Sequence, residues 1–554
     1  MLKNGQIAET VITDYTSDGQ GVCRIDGCAV FVPNAIKDEV CLVKVVKAGK
    51  NTAVGKIERI LQTSEHRIPR TCPYAKLCGG CQFMHMDYEA ECELKEARVR
   101  SALERLGGIV FSVGDDAHIV PPAEFLPIVP SEKTESYRNK AQYPVAAQNG
   151  RPAAGFYRER THQVVPIDRC LILPQDADDV KACVLAWMSN YKITPYDETT
   201  GKGLIRHIYV RKGFASGEVL VCIVANGGTL PHEKELIDAL KKSIKGLKSV
   251  VLSVNQKQGN AVLGDKFIAL FGSGTIEDTL CGLTFRLSPR SFYQVNHDQA
   301  ERLYQAAIEA AQLTGNETVL DLYCGTGTIT LCLAAHAKKA YGVEIVEQAI
   351  ADAKENAKRN GIENTEFFCA DAGQAAAKFA ADGIKPDVIV IDPPRKGVSP
   401  DVIDAMVQMA PSRIVYVSCD PATLARDVKM LTERGYAVMT AQPFDLFPHT
   451  AHVETVVSLL RKTPDAYVEI EVQTSELDLT PAEAEATYDE IKDYIFKQHG
   501  VKVSSLYIAQ VKEKLGIRVC ENYNKSKKTD AKQLQCPKEK EKMIVEALKH
   551  FKMI

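Results

Sequence analysis

The sequence predicts an α/β chain built around a doubly wound sheet, and three observations carry that reading. Strands and helices alternate from about residue 286 to 461. Two of these strands, at 388–391 and 414–417, are continuous apolar runs rather than alternating ones, as expected of strands covered by helices on both faces. The first strand, 319–323, runs into a glycine turn that opens a helix at Thr328, and in such sheets that turn lines the ligand crevice.

The remaining elements follow in order. Strand 340–344 leads to helix 347–360, which Gly361 ends, because glycine accepts the left-handed conformation that closes a helix. Strands 366–370, 387–391 and 413–418 alternate with helices 401–409 and 421–434, and strand 453–460 closes the series. Upstream, residues 1–61 contain short β-rich segments at 7–15, 29–33, 40–46 and 53–61 with a turn at 17–21, which predicts a small OB-like β-barrel. Residues 62–93 hold a cysteine group, 93–106 reads as a helix stopped by Gly107-Gly108, and 120–285 is β-rich with intervening helices. The last part starts acidic, ends lysine-rich and carries three helices at 484–498, 505–515 and 539–551. The chain therefore divides into 1–61, a central 62–285, an α/β domain 286–461 and a helical extension 462–554. A chain of 554 residues exceeds what one core supports.

Composition excludes several classes. The chain is 45% hydrophobic and 25% charged, with a net charge of −3, which is neither membrane-like nor strongly basic. A local basic groove remains compatible with that balance. Apolar runs are strand-length, and the start Met1-Leu2-Lys3-Asn4-Gly5 lacks an apolar signal region. A cytoplasmic location with no membrane partner is expected. The 17 cysteines are odd in number and scattered, so metal ligation or catalysis is expected of some rather than a disulfide framework.

The turn Asp321-Leu322-Tyr323-Cys324-Gly325-Thr326-Gly327-Thr328 lets the backbone approach a ligand closely. Glu344, at the end of the next strand, can accept hydrogen bonds from both hydroxyls of a ribose, and Asp371 ends the strand after that. This suits either NAD or S-adenosylmethionine (SAM). Three further strand ends carry reactive groups: Asp392 in Asp392-Pro393-Pro394-Arg395, Cys419 in Ser418-Cys419-Asp420-Pro421, and Glu454 in His452-Val453-Glu454-Thr455. Cys419 lies just before a helix start, where a thiolate is stabilised. The three share one chemistry. Carbon 5 of uracil is too weak a nucleophile to attack a methyl sulfonium, and a thiolate adding to carbon 6 turns it into an enolate. A base must then remove the carbon 5 proton. One thiolate, one carboxylate base (Glu454) and one orienting acid (Asp392) suffice. Methylation of cytosine by the related route pairs two cysteines, one in a Pro-Cys; Arg395 follows Pro394 here, against that alternative.

Cys72, Cys78 and Cys81 form a C-x5-C-x2-C pattern with Gly79-Gly80 between the last two, suited to zinc or an iron–sulfur cluster. On spacing alone Cys92, Cys170 and Cys183 compete for a fourth position. Arg138, Lys140, Arg158, Arg160, Arg206 and Arg211 are interleaved with aromatic residues, a pattern expected of a single-stranded RNA groove.

Taken together, Phe292-Tyr293-Gln294-Val295-Asn296, Asp321 to Gly327, Asp392 to Arg395, the run from Val417 through Cys419 to Asp427, and His452 to Val456 resemble the RNA (uracil-5)-methyltransferase family over roughly residues 3–461. The resemblance implies that Gln294, Tyr323, Thr328, Glu344, Asp371 and Asp392 surround SAM, that Cys419 is the nucleophile and that Glu454 accepts the proton. It is similar to the iron–sulfur branch typified by bacterial 23S ribosomal RNA enzymes. That implies a [4Fe-4S] cluster on Cys72, Cys78, Cys81 and Cys170, and a TRAM-type RNA-binding barrel at 1–61. A 23S ribosomal RNA substrate and a monomer are expected, with a transfer-RNA substrate or a non-catalytic RNA-binding protein as alternatives. Residues 462–554 lie outside the resemblance; the segment 503–511 could be the second helix of a helix-turn-helix that assists RNA binding.

Overall fold

The glycine-turn strand Thr318–Asp321 stands third in an eight-stranded sheet of order Thr365–Cys369, Lys339–Glu344, Thr318–Asp321, Val388–Ile391, Arg413–Ser418, Glu454–Arg461, Tyr436–Phe444 and Glu124–Phe125. This arrangement comes from a computed structural model, which describes residues 2–111, 123–462, 488–515 and 536–551. The first five strands are parallel. Glu454–Arg461 inserts antiparallel to both of its neighbours. The chain runs outward from Thr318–Asp321 and then returns to Val388–Ile391 on its other side. A ligand crevice opens at such a reversal, beyond the carboxyl ends of the strands.

Period-two alternation fills both faces of this sheet. Val319, Val388, Val390, Val415 and Val417 belong to one apolar layer with Leu303, Tyr304 and Leu331. Leu320, Ile389, Ile391, Ile414 and Tyr416 belong to the other, with Val402, Met406, Leu424 and Val428. Each fully buried aliphatic side chain contributes about 1.5–3 kcal/mol, which is why these strands carry no polar alternation. Helix Tyr88–Arg105 adds Val99 and Leu103 to the second layer. Its N-cap, Asp87, accepts a 2.9 Å hydrogen bond from Ala90 N, so the helix begins earlier than its apolar pattern suggests. Helices His297–Ala311 and Ala372–Ala381 and strand Tyr436–Phe444 complete the domain.

Residues 140–271 hold a seven-stranded sheet of order Val164–Pro166, Arg151–Tyr157, Lys140–Gln148, Ile205–Lys212, Val219–Ala225, Leu247–Val254 and Lys266–Phe271. Tyr209, Leu220 and Cys222 on one face join the first apolar layer of the α/β domain. The other face packs on helices Gln175–Asn190 and Glu233–Ser243.

The N-terminal segment, expected as an OB-like β-barrel, forms a six-stranded sheet whose ladder is open among the described residues. The two edges, Ile7–Val11 and Asp14–Tyr15, are consecutive pieces of one bent strand. At the bend, Ile12 N donates to Glu39 O and Thr13 N to Val22 O, at 2.9 and 2.8 Å. One strand thus serves both sides, and no separate pair closes the sheet.

The chain divides into two compact units, Met1–Thr463 and Pro464–Ile554. In the second, helices Tyr488–His499, Ser505–Lys514 and Lys538–His550 enclose Ile491, Ile495, Ile508, Val511, Ile544 and Leu548. The expected start of the first of these helices, at 484, lies outside the described residues. Among the described residues no helix is long and apolar enough to cross a membrane.

Candidate active site

The carboxyl edge of the sheet gathers the residues singled out in the sequence. Asp321 is buried at the end of its strand and accepts Thr330 Oγ1 at 2.6 Å and Tyr323 N at 3.2 Å. Burial, reinforced by the charge of Glu344, pushes its carboxyl up to about 6. Gly327 has φ 83°, and a Cβ there would lie 3.1 Å from Ala353 Cβ, so both conformation and space require glycine. Thr328 faces inward: it is buried and its hydroxyl meets Tyr304 OH at 3.1 Å.

Glu344 is partly buried, and its Oε1 accepts Val346 N at 2.9 Å, which fixes the carboxylate at the strand end. Ile345 and Val346 beside it are 66% and 54% exposed. Two open aliphatic side chains next to a ribose-type acid offer an apolar platform for a base, a feature the sequence reading missed. Asp371 caps helix Ala372–Ala381, accepting from Gly373 N and Gln374 N at 3.0 and 3.3 Å. Gln294 is buried in the segment before helix His297–Ala311, where Asn139 Nδ2 holds its carbonyl at 2.8 Å. Tyr323 is partly buried close enough to Asp371 to feel its charge.

Cys419 and Glu454 come from neighbouring strands. Ser418 is paired with Thr455 in the antiparallel ladder, so the next step of the register sets Cys419 beside Glu454. Asp392 follows strand Val388–Ile391 on the other side of Arg413–Ser418. Buried Asp427 pins the loop after Asp392, accepting Val398 N and Tyr416 OH, both at 2.7 Å. Gly397 in that loop has φ 73°, and a Cβ there would collide with Asp427 Oδ2.

Burial dominates the electrostatics. It pushes the Cys419 thiol up to about 11; the charges of Glu454 and Asp392 push the same way, and Arg395 and a backbone hydrogen bond oppose them. Burial followed by the charge of Asp392 raises Glu454 well above the carboxylate range, and Glu454 Oε2 is buried without a hydrogen-bond partner. Burial and then Asp321 bring Asp392 to about 7. The expectation that the helix start alone stabilises a thiolate is therefore corrected: Asp420 already caps that helix, accepting Ala422 N and Thr423 N at 3.0 Å each. Desolvation and two carboxylates outweigh the rest. Arg395 supplies one cation at the rim of the site, where its Nη2 lies 3.4 Å from His452 Nε2. Burial followed by Arg395 lowers His452 to about 4. Neither Arg395 nor His452 was given a role from sequence, although both sit inside the motifs that were recognised.

The four cysteines lie near enough to one another for their charges to interact. Cys72, Cys81 and Cys170 pack against Met84, Tyr137 and Ile172. Burial raises the Cys81 thiol, and the charges of Cys170, Cys78 and Cys72 follow as causes. Burial also brings Cys170 to about 12, with Asp178, Cys78 and Cys72 adding to it. Cys92 instead neighbours Tyr88 and Asp445, and Cys183 lies on helix Gln175–Asn190 near Ser243. Among the described residues no group of three or more His, Cys, Asp or Glu is spaced for a single metal ion.

Two of the basic candidates are structural. Arg206 is buried, giving Nη1 to Asn255 O and Lys257 O at 3.0 and 2.7 Å. Arg211 is 1% exposed and bonds Tyr209 OH and Ser291 O. Arg158 and Arg160 are exposed, and Arg138 and Lys140 partly so. A cleft of about 1230 Å³ runs past Tyr15, Gly19, Arg98, Arg158, Arg395 and Cys419. It links the N-terminal sheet to Cys419.

Residues 280–462 match the family model described as tRNA (Uracil-5-)-methyltransferase. An uncharacterized RNA methyltransferase of Clostridium acetobutylicum is 42% identical over 460 residues, covering 83% of this chain and 98% of the relative. The chain belongs to the RNA (uracil-5)-methyltransferase family. A second such relative, from Listeria innocua, is 41% identical over 462 residues, covering 83% of this chain and 99% of the relative. The solved Pyrococcus abyssi tRNA (uracil-54, C5)-methyltransferase, in complex with S-adenosyl-L-homocysteine, superimposes with a TM-score of 0.66. It is 26% identical, and the match covers 82% of this chain and 99% of that one. The protein is thus a methyltransferase that uses SAM and acts on RNA.

Proposed function

We propose that the protein methylates carbon 5 of a uridine in 23S ribosomal RNA through a covalent adduct between Cys419 and carbon 6. The juxtaposition of Cys419, Glu454 and Asp392 around one desolvated point carries this reading. Cys419 adds to carbon 6, and the resulting enolate is nucleophilic at carbon 5. Bound SAM supplies the methyl group and a sulfonium charge. Asp392 orients the nitrogen-bearing edge of the uracil. Glu454, whose Oε2 has no protein partner, takes the proton from carbon 5, and elimination then frees Cys419. Glu344 and Asp371 hold the ribose and adenine, Gln294 and Tyr323 flank the methionine half, and Thr328 supports the turn through Tyr304.

Four cysteines that feel one another's charge fit a [4Fe-4S] cluster by donor chemistry, since thiolates are its usual ligands and each cysteine would contribute one. Cys72, Cys78, Cys81 and Cys170 would hold it, where it fixes the fold of an RNA-contacting loop. Methyl transfer needs no electron. The 1–61 sheet acts as a TRAM-type RNA-binding module beside the cleft, in a cytoplasmic monomer. The helices of 488–551 are an accessory to RNA binding.

A transfer-RNA substrate is the second reading, favoured by the name of the Pyrococcus abyssi structure. Transfer of labelled methyl from SAM to unmodified ribosomal and transfer RNA, with wild type and Cys419→Ala, decides between them. Label in 5-methyluridine of ribosomal RNA, lost in the variant, is the expected result. Label in transfer RNA alone moves the assignment, and label in neither refutes the activity.

A further inference from the structure

The segment that delivers Glu454, residues 445–453, is held by the polypeptide just after the Cys78–Cys81 loop. Gln82 N and Phe83 N both donate to His449 O, at 2.8 and 3.0 Å. The Gln82 side chain makes two further bonds in opposite directions. Its Nε2 donates to Gly79 O at 3.2 Å, inside the cysteine loop. Its Oε1 accepts Ala451 N at 3.3 Å, three residues before Glu454. Phe83 is fully buried and packs with Ala451, Ile36 and Leu94.

We propose that Gln82 is a positioning residue for Glu454, coupling the loop of the cysteine centre to the segment that carries the proton acceptor. The proposal rests on the roles given above to Glu454 and to the cysteines. Other groups also hold this segment: Tyr137 OH donates to Pro448 O at 3.0 Å, and Arg98 Nη1 to Ala451 O at 2.5 Å. Gln82 differs from them in touching both loops with one amide. A carboxamide is the side chain that can donate to Gly79 O and accept from Ala451 N at once. One amide thus bridges the two loops, so a shift of the Cys78–Cys81 loop reaches the backbone before Glu454 through a single side chain. This gives the cysteine centre a part in the reaction that requires no electron transfer.

The test uses the full chain as isolated, with Gln82→Ala and Gln82→Glu. Glutamate keeps the acceptor for Ala451 N and loses the donor for Gly79 O. Because Glu454 acts after methyl transfer, a misplaced base slows elimination and lets the covalent RNA adduct persist. Gln82→Ala is expected to raise the steady-state fraction of denaturation-resistant RNA–enzyme adduct. It should leave the Kd for RNA and for SAM unchanged and speed amide exchange at Ala451. Gln82→Glu should keep wild-type adduct levels while Cys78 and Cys81 react faster with a thiol reagent. A Gln82→Ala protein that melts earlier yet shows wild-type adduct fraction and exchange would overturn the proposal, leaving Gln82 a merely structural residue. If wild type forms no 5-methyluridine, the proposed activity fails instead, and exchange at Ala451 together with thiol reactivity still decides whether Gln82 couples the two loops.

Discussion

Lys95 Nζ lies 2.8 Å from Asp445 Oδ1, and both side chains are fully buried. Glu91 Oε1 is 2.6 Å from the same ammonium, and Tyr88 OH donates to Asp445 Oδ2 at 2.9 Å. One face of helix Tyr88–Arg105 thus grips the start of the segment that ends at Glu454. Removing the ammonium leaves two buried carboxylates unpaired, which costs about 3–5 kcal/mol. Lys95→Met should lower the denaturant midpoint of the Met1–Thr463 unit by a corresponding amount, read by chemical unfolding. An unchanged midpoint would mean that the network is not retained in solution.

Glu454→Gln and Cys419→Ala should fail at different steps. Without the thiol no adduct forms. Without the base, methyl transfer proceeds and the adduct accumulates, with turnover reduced by roughly 10²–10⁴-fold, the usual worth of a general base. Denaturing gels of enzyme mixed with RNA and SAM separate the two outcomes.

The pH behaviour of Cys419 follows from its surroundings. With its thiol at about 11, alkylation of the Cys419 peptide in the free protein should rise late, well above the ordinary thiol range. A positively charged SAM analogue such as sinefungin should shift that rise to lower pH, because a nearby cation favours the thiolate. Neutral S-adenosylhomocysteine should shift it less. The raised thiol also stabilises the fold only while protonated: the contribution is complete below the unfolded value near 9 and disappears as pH climbs through about 11.

Glu344→Ala should weaken SAM binding. Hydrogen bonds to a charged acceptor contribute about 1.5–3 kcal/mol, so a loss of roughly ten- to a hundredfold in affinity is expected by calorimetry, with the fold intact because the residue sits at a strand end.

Gly397→Ala should disturb the Asp392 loop. A left-handed alanine costs about 1–2 kcal/mol, and its Cβ would meet Asp427 Oδ2 and lie 2.6 Å from Arg426 Nη2. Turnover should fall more than melting temperature, since the displaced loop carries Asp392 rather than the core.

The α/β domain was legible because its buried strands are unbroken apolar runs and its glycines stand at real positive-φ turns. Helix Ala372–Ala381 and strand Tyr436–Phe444 were not foreseen. The first is alanine-rich with little contrast between faces, and the second alternates too weakly to announce itself. Cys419, Glu454 and Asp392 were singled out in the sequence through their chemistry, and the strand order sets them at neighbouring strand ends. Their protonation was not legible, because a helix start is visible in sequence and the desolvation around it is not. Arg206 and Arg211 looked like a basic groove because charge was read without burial; the sheet turns both inward onto backbone carbonyls. Gln82 carried no signal, since its role depends on two loops that are far apart along the chain.

The inserted strand Glu454–Arg461 has an implication for biosynthesis. It is the last strand of its sheet to be synthesised, yet it lies between two that precede it. Until it slots in, Tyr436–Phe444 pairs with Glu124–Phe125 and, through a single bridge, with Val129. Glu454 is the first residue of that final strand, so with the roles proposed above a chain still emerging from the ribosome holds Cys419 without the group that would let go of RNA. Completion of the fold and competence to release product arrive in the same event.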